Sequence, residues 1–107
     1  MTKQKYIIPS TDPKCFYNNA EGVWYRQIDK RLARKCFEAG KRILLLSSNL
    51  RFGNLWQHPC RIKKEDSYGK RDFDYIVSDY TYYNCDAERG RYIHFYIKLD
   101  DYTNMNK

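Results

Sequence analysis

Two histidines, four cysteines and twenty Lys or Arg are the side chains of this 107-residue sequence with most capacity for chemistry. His58 and Cys60 stand two apart, a spacing that puts both on one side of a strand end and could supply two metal ligands. The cysteines Cys15, Cys36, Cys60 and Cys85 lie 21, 24 and 25 residues apart, with no Cys-x-x-Cys pair. Structural zinc is usually held by two such close pairs, so the expectation is no metal, no cofactor and four reduced thiols. His94, between Tyr92 and Tyr96, suits general acid–base work on a phosphodiester, with nearby Arg or Lys stabilising the charged phosphorane. Asp72, Asp74, Asp100 and Asp101 supply carboxylates in turn-like surroundings. Gly-x-Gly-x-x-Gly and P-loop patterns are absent, which argues against nucleotide hydrolysis.

The cations form the stronger pattern. Residues 26–64 carry eleven Lys or Arg against Asp29 and Glu38 alone, a block of +9 in a chain of net charge +7. Residues 65–107, with six bases and nine acids, make a block of −3. Trp24, Ile28, Leu32 and Cys36 recur at spacings of four, and predict a helix over about residues 21–39. At about 100° per residue, Arg26, Lys30 and Arg34 form a ridge opposite that apolar stripe, with Arg31 beside it. Like charges at these spacings repel, and a merely solvated helix face usually mixes its signs. The ridge therefore reads as an anion-binding face, extended by Lys41, Arg42, Arg51, Arg61, Lys63 and Lys64. RNA, a ribonucleoprotein or an acidic protein patch would suit it.

A second candidate surface is aromatic. Ile93, Phe95, Ile97 and Leu99 alternate with Tyr92, His94, Tyr96 and Lys98, so Tyr92, His94 and Tyr96 share one strand face, near Tyr80 and Tyr82. Such rings stack bases or anchor protein interfaces.

The elements that must position these groups follow from period and punctuation. Tyr6-Ile7-Ile8, stopped by Pro9, reads as a short edge strand. Gly40 suits a helix C-cap. Ile43 to Ser47 reads as a strand buried on both faces, residues 48–59 as a loop, and Cys60 to Lys64 as another strand. Phe73 to Asn84, rich in Tyr, Ile, Val and Thr, and Arg91 to Leu99 read as the two arms of a C-terminal β-hairpin. Residues 100–107 read as a frayed polar tail. The predicted class is α+β over a single domain spanning 1–107: one main helix packed on a mainly antiparallel sheet. Leu, Ile, Val and Phe total only 22 residues, so much of the core must come from the eleven tyrosines and two tryptophans. The longest apolar run is four residues, Ile43 to Leu46, far short of the ~18 that span a bilayer. Met1-Thr2-Lys3-Gln4-Lys5 lacks a secretion signal, and the expected compartment is the cytoplasm, with no membrane partner.

A short chain rich in Tyr and Asn, without an evident active site, resembles the small type II anti-CRISPR proteins of phages and plasmids, and the segment Ala39-Gly40-Lys41-Arg42-Ile43-Leu44-Leu45-Leu46-Ser47-Ser48-Asn49-Leu50-Arg51-Phe52-Gly53-Asn54 has the character of a family signature to which no function attaches. The resemblance is one of general character and transfers no functional residue. It implies a stoichiometric inhibitor of an RNA-guided nuclease. A basic inhibitor would engage the guide RNA, an acidic patch of the CRISPR effector or the assembling complex, rather than imitate DNA. Two other readings stand beside this non-enzymatic one: a small toxin-type ribonuclease using His94, and a protein-only adaptor using the tyrosine face.

Overall fold

Two aspartates start the main helices. Asp29 has extended backbone (φ −86°, ψ 171°) and its carboxylate accepts a hydrogen bond from the Leu32 N–H, opening α1 over Lys30–Glu38. Asp72 does the same for the Tyr75 N–H and opens α2 over Phe73–Asn84. Each carboxylate satisfies one of the N–H groups that a helix start leaves without a partner. Replacing Asp29 with Ala is expected to cost about 1 kcal/mol, read as a lowered thermal midpoint with unchanged far-UV circular dichroism.

The computed structural model describes residues 11–48, 58–66 and 71–105. Five strands, β1 (Cys15–Asn18), β2 (Val23–Ile28), β3 (Ile43–Ser48), β4 (Cys60–Ile62) and β5 (Tyr92–Lys98), form one sheet in the order β1-β2-β5-β3-β4. Every neighbouring pair is antiparallel. The class is α+β, with the helices packed on one sheet face. The readings of Tyr6-Ile7-Ile8 as a strand and of Arg51 as a contact lie outside the described residues.

Three boundaries differ from the sequence expectation. The helix begins at Lys30 rather than near residue 21, because Val23–Ile28 is strand β2. A spacing of four keeps residues on one face of a strand as well as of a helix, so Trp24 and Ile28 fit both periods. The segment read as the first hairpin arm is helix α2, with Phe73, Ile76, Val77 and Tyr80 buried at helical spacing. Their recurrence at i, i+3, i+4 and i+7 prevails over the β-propensity of the individual residues. No C-terminal hairpin therefore forms, and β5 lies inside the sheet between β2 and β3. Leu99–Asn104, at the start of the expected tail, forms a short helix, α3. Tyr102 and Met105 pack against the core there, with the Met105 sulfur 3.2 Å from the Cys36 thiol.

The core on the helix face joins Ala33, Cys36 and Phe37 of α1 to the apolar face of α2 and to Ile43, Leu45, Phe95 and Ile97 of the sheet. A chain of rings runs through it, Phe37 to Phe73 at 5.6 Å and Phe73 to Phe95 at 6.0 Å between centroids. The opposite sheet face has its own buried cluster of Tyr25, Leu44, Leu46 and Tyr96, flanked by Phe16 and Val23. Gly40 closes α1 in the left-handed conformation (φ 88°), with the Lys41 N–H bonded to the Cys36 carbonyl and the Gly40 N–H to that of Phe37. This is a Schellman closure, and it turns the chain directly into β3.

Candidate functional site

Once α1 buries Ala33, Cys36 and Phe37, helical geometry decides which cations face outward. Arg31 and Lys35, one turn apart, lie on the side opposite Cys36 and Phe37, and Lys30, Arg31 and Lys35 are all exposed. Among the described residues none of the three has an ion-pair partner, and the first turn of α1 contains no acidic residue. Lys41 and the exposed Arg42 follow the Gly40 turn in sequence, but Arg42 lies near the Tyr25 hydroxyl, on the sheet face opposite α1. Lys35 belongs to the outward face of α1 although the ridge read from sequence omits it; its position four residues after Arg31 was the available signal.

Neighbouring cations are neutralised. Arg34 leans toward α2, where it pairs with Asp74 and lies over the Phe73 ring at 5.6 Å. Lys64 pairs with Glu38 at 2.9 Å and Lys63 with Glu65 at 2.8 Å. Arg61, opposite Leu44 on the other sheet face, pairs with Glu21, which also accepts the Tyr25 hydroxyl. Arg26 is on β2 and not on the helix, so the continuous Arg26-Lys30-Arg34 ridge does not form. Its guanidinium is instead 4.5 Å from the Tyr102 ring centroid and 3.5 Å from the Asp12 carboxylate.

The tyrosine face is also redistributed. Tyr92 is exposed, but Tyr96 is only 1% exposed and packs edge-on against Phe16 at 5.0 Å. His94 Nε2 is 2.9 Å from the Ser48 carbonyl; an oxygen of that kind only accepts, so Nε2 carries the proton. His94 pairs in register with Leu46 and shares its sheet face, opposite to the face that carries α1. The α1 cations are thus across the sheet from His94. Tyr80, expected near this face, is buried in α2, and the exposed rings there are Tyr75, Tyr82 and Tyr83.

The remaining polar groups have structural roles. His58 adopts a left-handed backbone (φ 51°) and its carbonyl accepts the Tyr80 hydroxyl at 2.7 Å. Burial pushes the Tyr80 hydroxyl pKa upward, and it does the same to the thiols of Cys15, Cys36, Cys60 and Cys85. These thiols stay protonated near neutrality and are poor nucleophiles. Asp12 is held below the usual carboxylate range, first by the Lys14 backbone N–H and then by Arg26. Among the described residues no three His, Cys, Asp or Glu side chains gather into a metal site, and no helix is long and apolar enough to cross a membrane. No protein-family model, curated protein or solved structure matches the chain.

Proposed function

We propose that this is a non-enzymatic binding protein that holds RNA, or the RNA of a ribonucleoprotein, against the outward face of α1. The observation that carries this reading is the contrast on and around one helix. Lys30, Arg31 and Lys35 are exposed without counter-ions among the described residues, while Arg34, Lys63 and Lys64 beside them are paired. Arg31 and Lys35, four residues apart, repel each other, and a bound polyanion turns that cost into attraction. Protein interfaces are usually depleted in Lys at their centre and anchored by aromatic residues. The exposed α1 positions are Lys30, Arg31, Lys35 and Glu38, with no ring among them, which favours a nucleic acid backbone over an acidic protein.

Occupancy of the RNA is then the means of inhibition. The resemblance to anti-CRISPR proteins makes the guide RNA of an RNA-guided nuclease, or the complex assembling on it, the partner of choice. The position of His94, across the sheet from these cations, weighs against the ribonuclease reading.

Titrating labelled RNA with the protein at increasing salt tests the proposal. With about four phosphate contacts to a single strand, affinity should fall about 50-fold between roughly 50 and 200 mM salt, with the RNA intact throughout. Salt-independent binding, or strand cleavage, overturns it.

A further inference from the structure

Beside the start of α1, a cleft of about 340 Å³ opens between β2, α1 and α3. Ile28 and Leu32 give it apolar surface, Tyr102 an aromatic ring, and Lys14 and Arg26 its cationic groups. Arg26 is held unusually firmly for a surface cation. Its side chain is 17% exposed, stacked on Tyr102, and donates from Nη1 to the Gln27 carbonyl. Its Nε is buried without a hydrogen-bond partner, despite the Asp12 carboxylate at 3.5 Å. Gln27 meets the cleft through its backbone, because it pairs in register with Tyr96 and its side chain shares that residue's sheet face.

Charge identifies what this cleft would take. Asp12 and the cap residue Asp29 lie against Arg26 and at the rim, so they offset Lys14 and Arg26. A bare phosphate would gain little there. A flat, neutral heteroaromatic ring would gain from apolar walls and a guanidinium plane. Lys30 and Arg31 follow the rim residue Asp29 directly in sequence and open the helix that bounds the cleft. We infer that the cleft receives one unstacked nucleobase of single-stranded RNA whose backbone lies along α1. This rests on the reading of α1 as an RNA-binding face, and adds that the strand is unpaired where it crosses β2.

Fluorescence anisotropy with the full chain tests it, using a labelled single-stranded RNA, an abasic strand of equal length and the fully paired duplex. The single strand should bind roughly 10-fold more tightly than the abasic strand, the gain expected from stacking one base. Arg26→Lys keeps the charge but loses the plane, and Tyr102→Leu keeps an apolar filler but loses the ring. Both should bring the single strand to the abasic level without changing the salt slope. Equal binding of native and abasic strands overturns the base site even if both variants fold poorly, because that comparison uses the unaltered protein. A variant that folds and still discriminates as the parent does overturns it too. Failure of every strand to bind instead overturns the α1 reading beneath it.

Discussion

Reversing three charges together, Lys30→Glu, Arg31→Glu and Lys35→Glu, is expected to weaken RNA binding by at least about 100-fold while leaving the fold intact. A unit charge pair about 4 Å apart in water is worth about 1 kcal/mol, and reversal replaces that attraction with repulsion. Salt screening reduces the total, but three adjacent reversals still exceed the ~2.7 kcal/mol that a 100-fold loss represents. The salt slope should fall as well, since each lost phosphate contact removes about 0.7 from it. The fold tolerates the change because all three side chains are exposed and none holds an ion pair among the described residues. Glutamate at position 30 also suits the positive end of the helix dipole. Anisotropy and thermal melting on the same preparation separate the two effects. Lys63→Glu with Lys64→Glu is the matched control, because those cations already have Glu65 and Glu38 as partners. A triple variant that binds as the parent does, or a control pair that loses as much, removes α1 as the site.

Local signals of the fold were legible where one period had no rival. The apolar run from Ile43 and the alternation from Tyr92 to Lys98 both lie in strands, and Gly40 ends α1. The start of α1 has a rival, because Trp24, Ile28, Leu32 and Cys36 satisfy strand and helix periods at once. The better marker was Asp29, a cap residue directly before Lys30. For Phe73–Asn84 the signals conflicted, and burial of one helical face overrode the individual preferences of Tyr, Ile, Val and Thr. The candidate site inherits this division. Lys30 and Arg31 stay on the helix because they lie within its true bounds, whereas Arg42, beyond the Gly40 turn, lies near Tyr25 on the opposite sheet face. Arg26 leaves the ridge because strand geometry turns its side chain toward Tyr102. No local pattern links residues 26 and 102, so the cleft they share depends on how α3 docks.

Tyr96→Ala is expected to be among the most destabilising single substitutions in the sheet, which distinguishes a core ring from a contact ring. Read from the alternation alone, Tyr92, His94 and Tyr96 are one exposed face. The central place of β5 makes them unequal: Tyr92 is 54% exposed, whereas Tyr96 is buried with Tyr25, Leu44 and Leu46. Removing a buried ring forfeits its transfer free energy and leaves a cavity, together about 3–5 kcal/mol. A domain of this size has only about 5–15 kcal/mol in hand, so the thermal midpoint should drop by on the order of 15 °C. Tyr92→Ala should stay within about 0.5 kcal/mol of the parent. If Tyr96 were instead a stacking or interface residue, Tyr96→Ala would melt as the parent does and lose partner binding. The two outcomes cannot be confused, since the first appears in a melt without ligand and the second only when ligand is added. A stable Tyr96→Ala variant with impaired RNA binding would move the site from α1 to the opposite sheet face, where His94 lies.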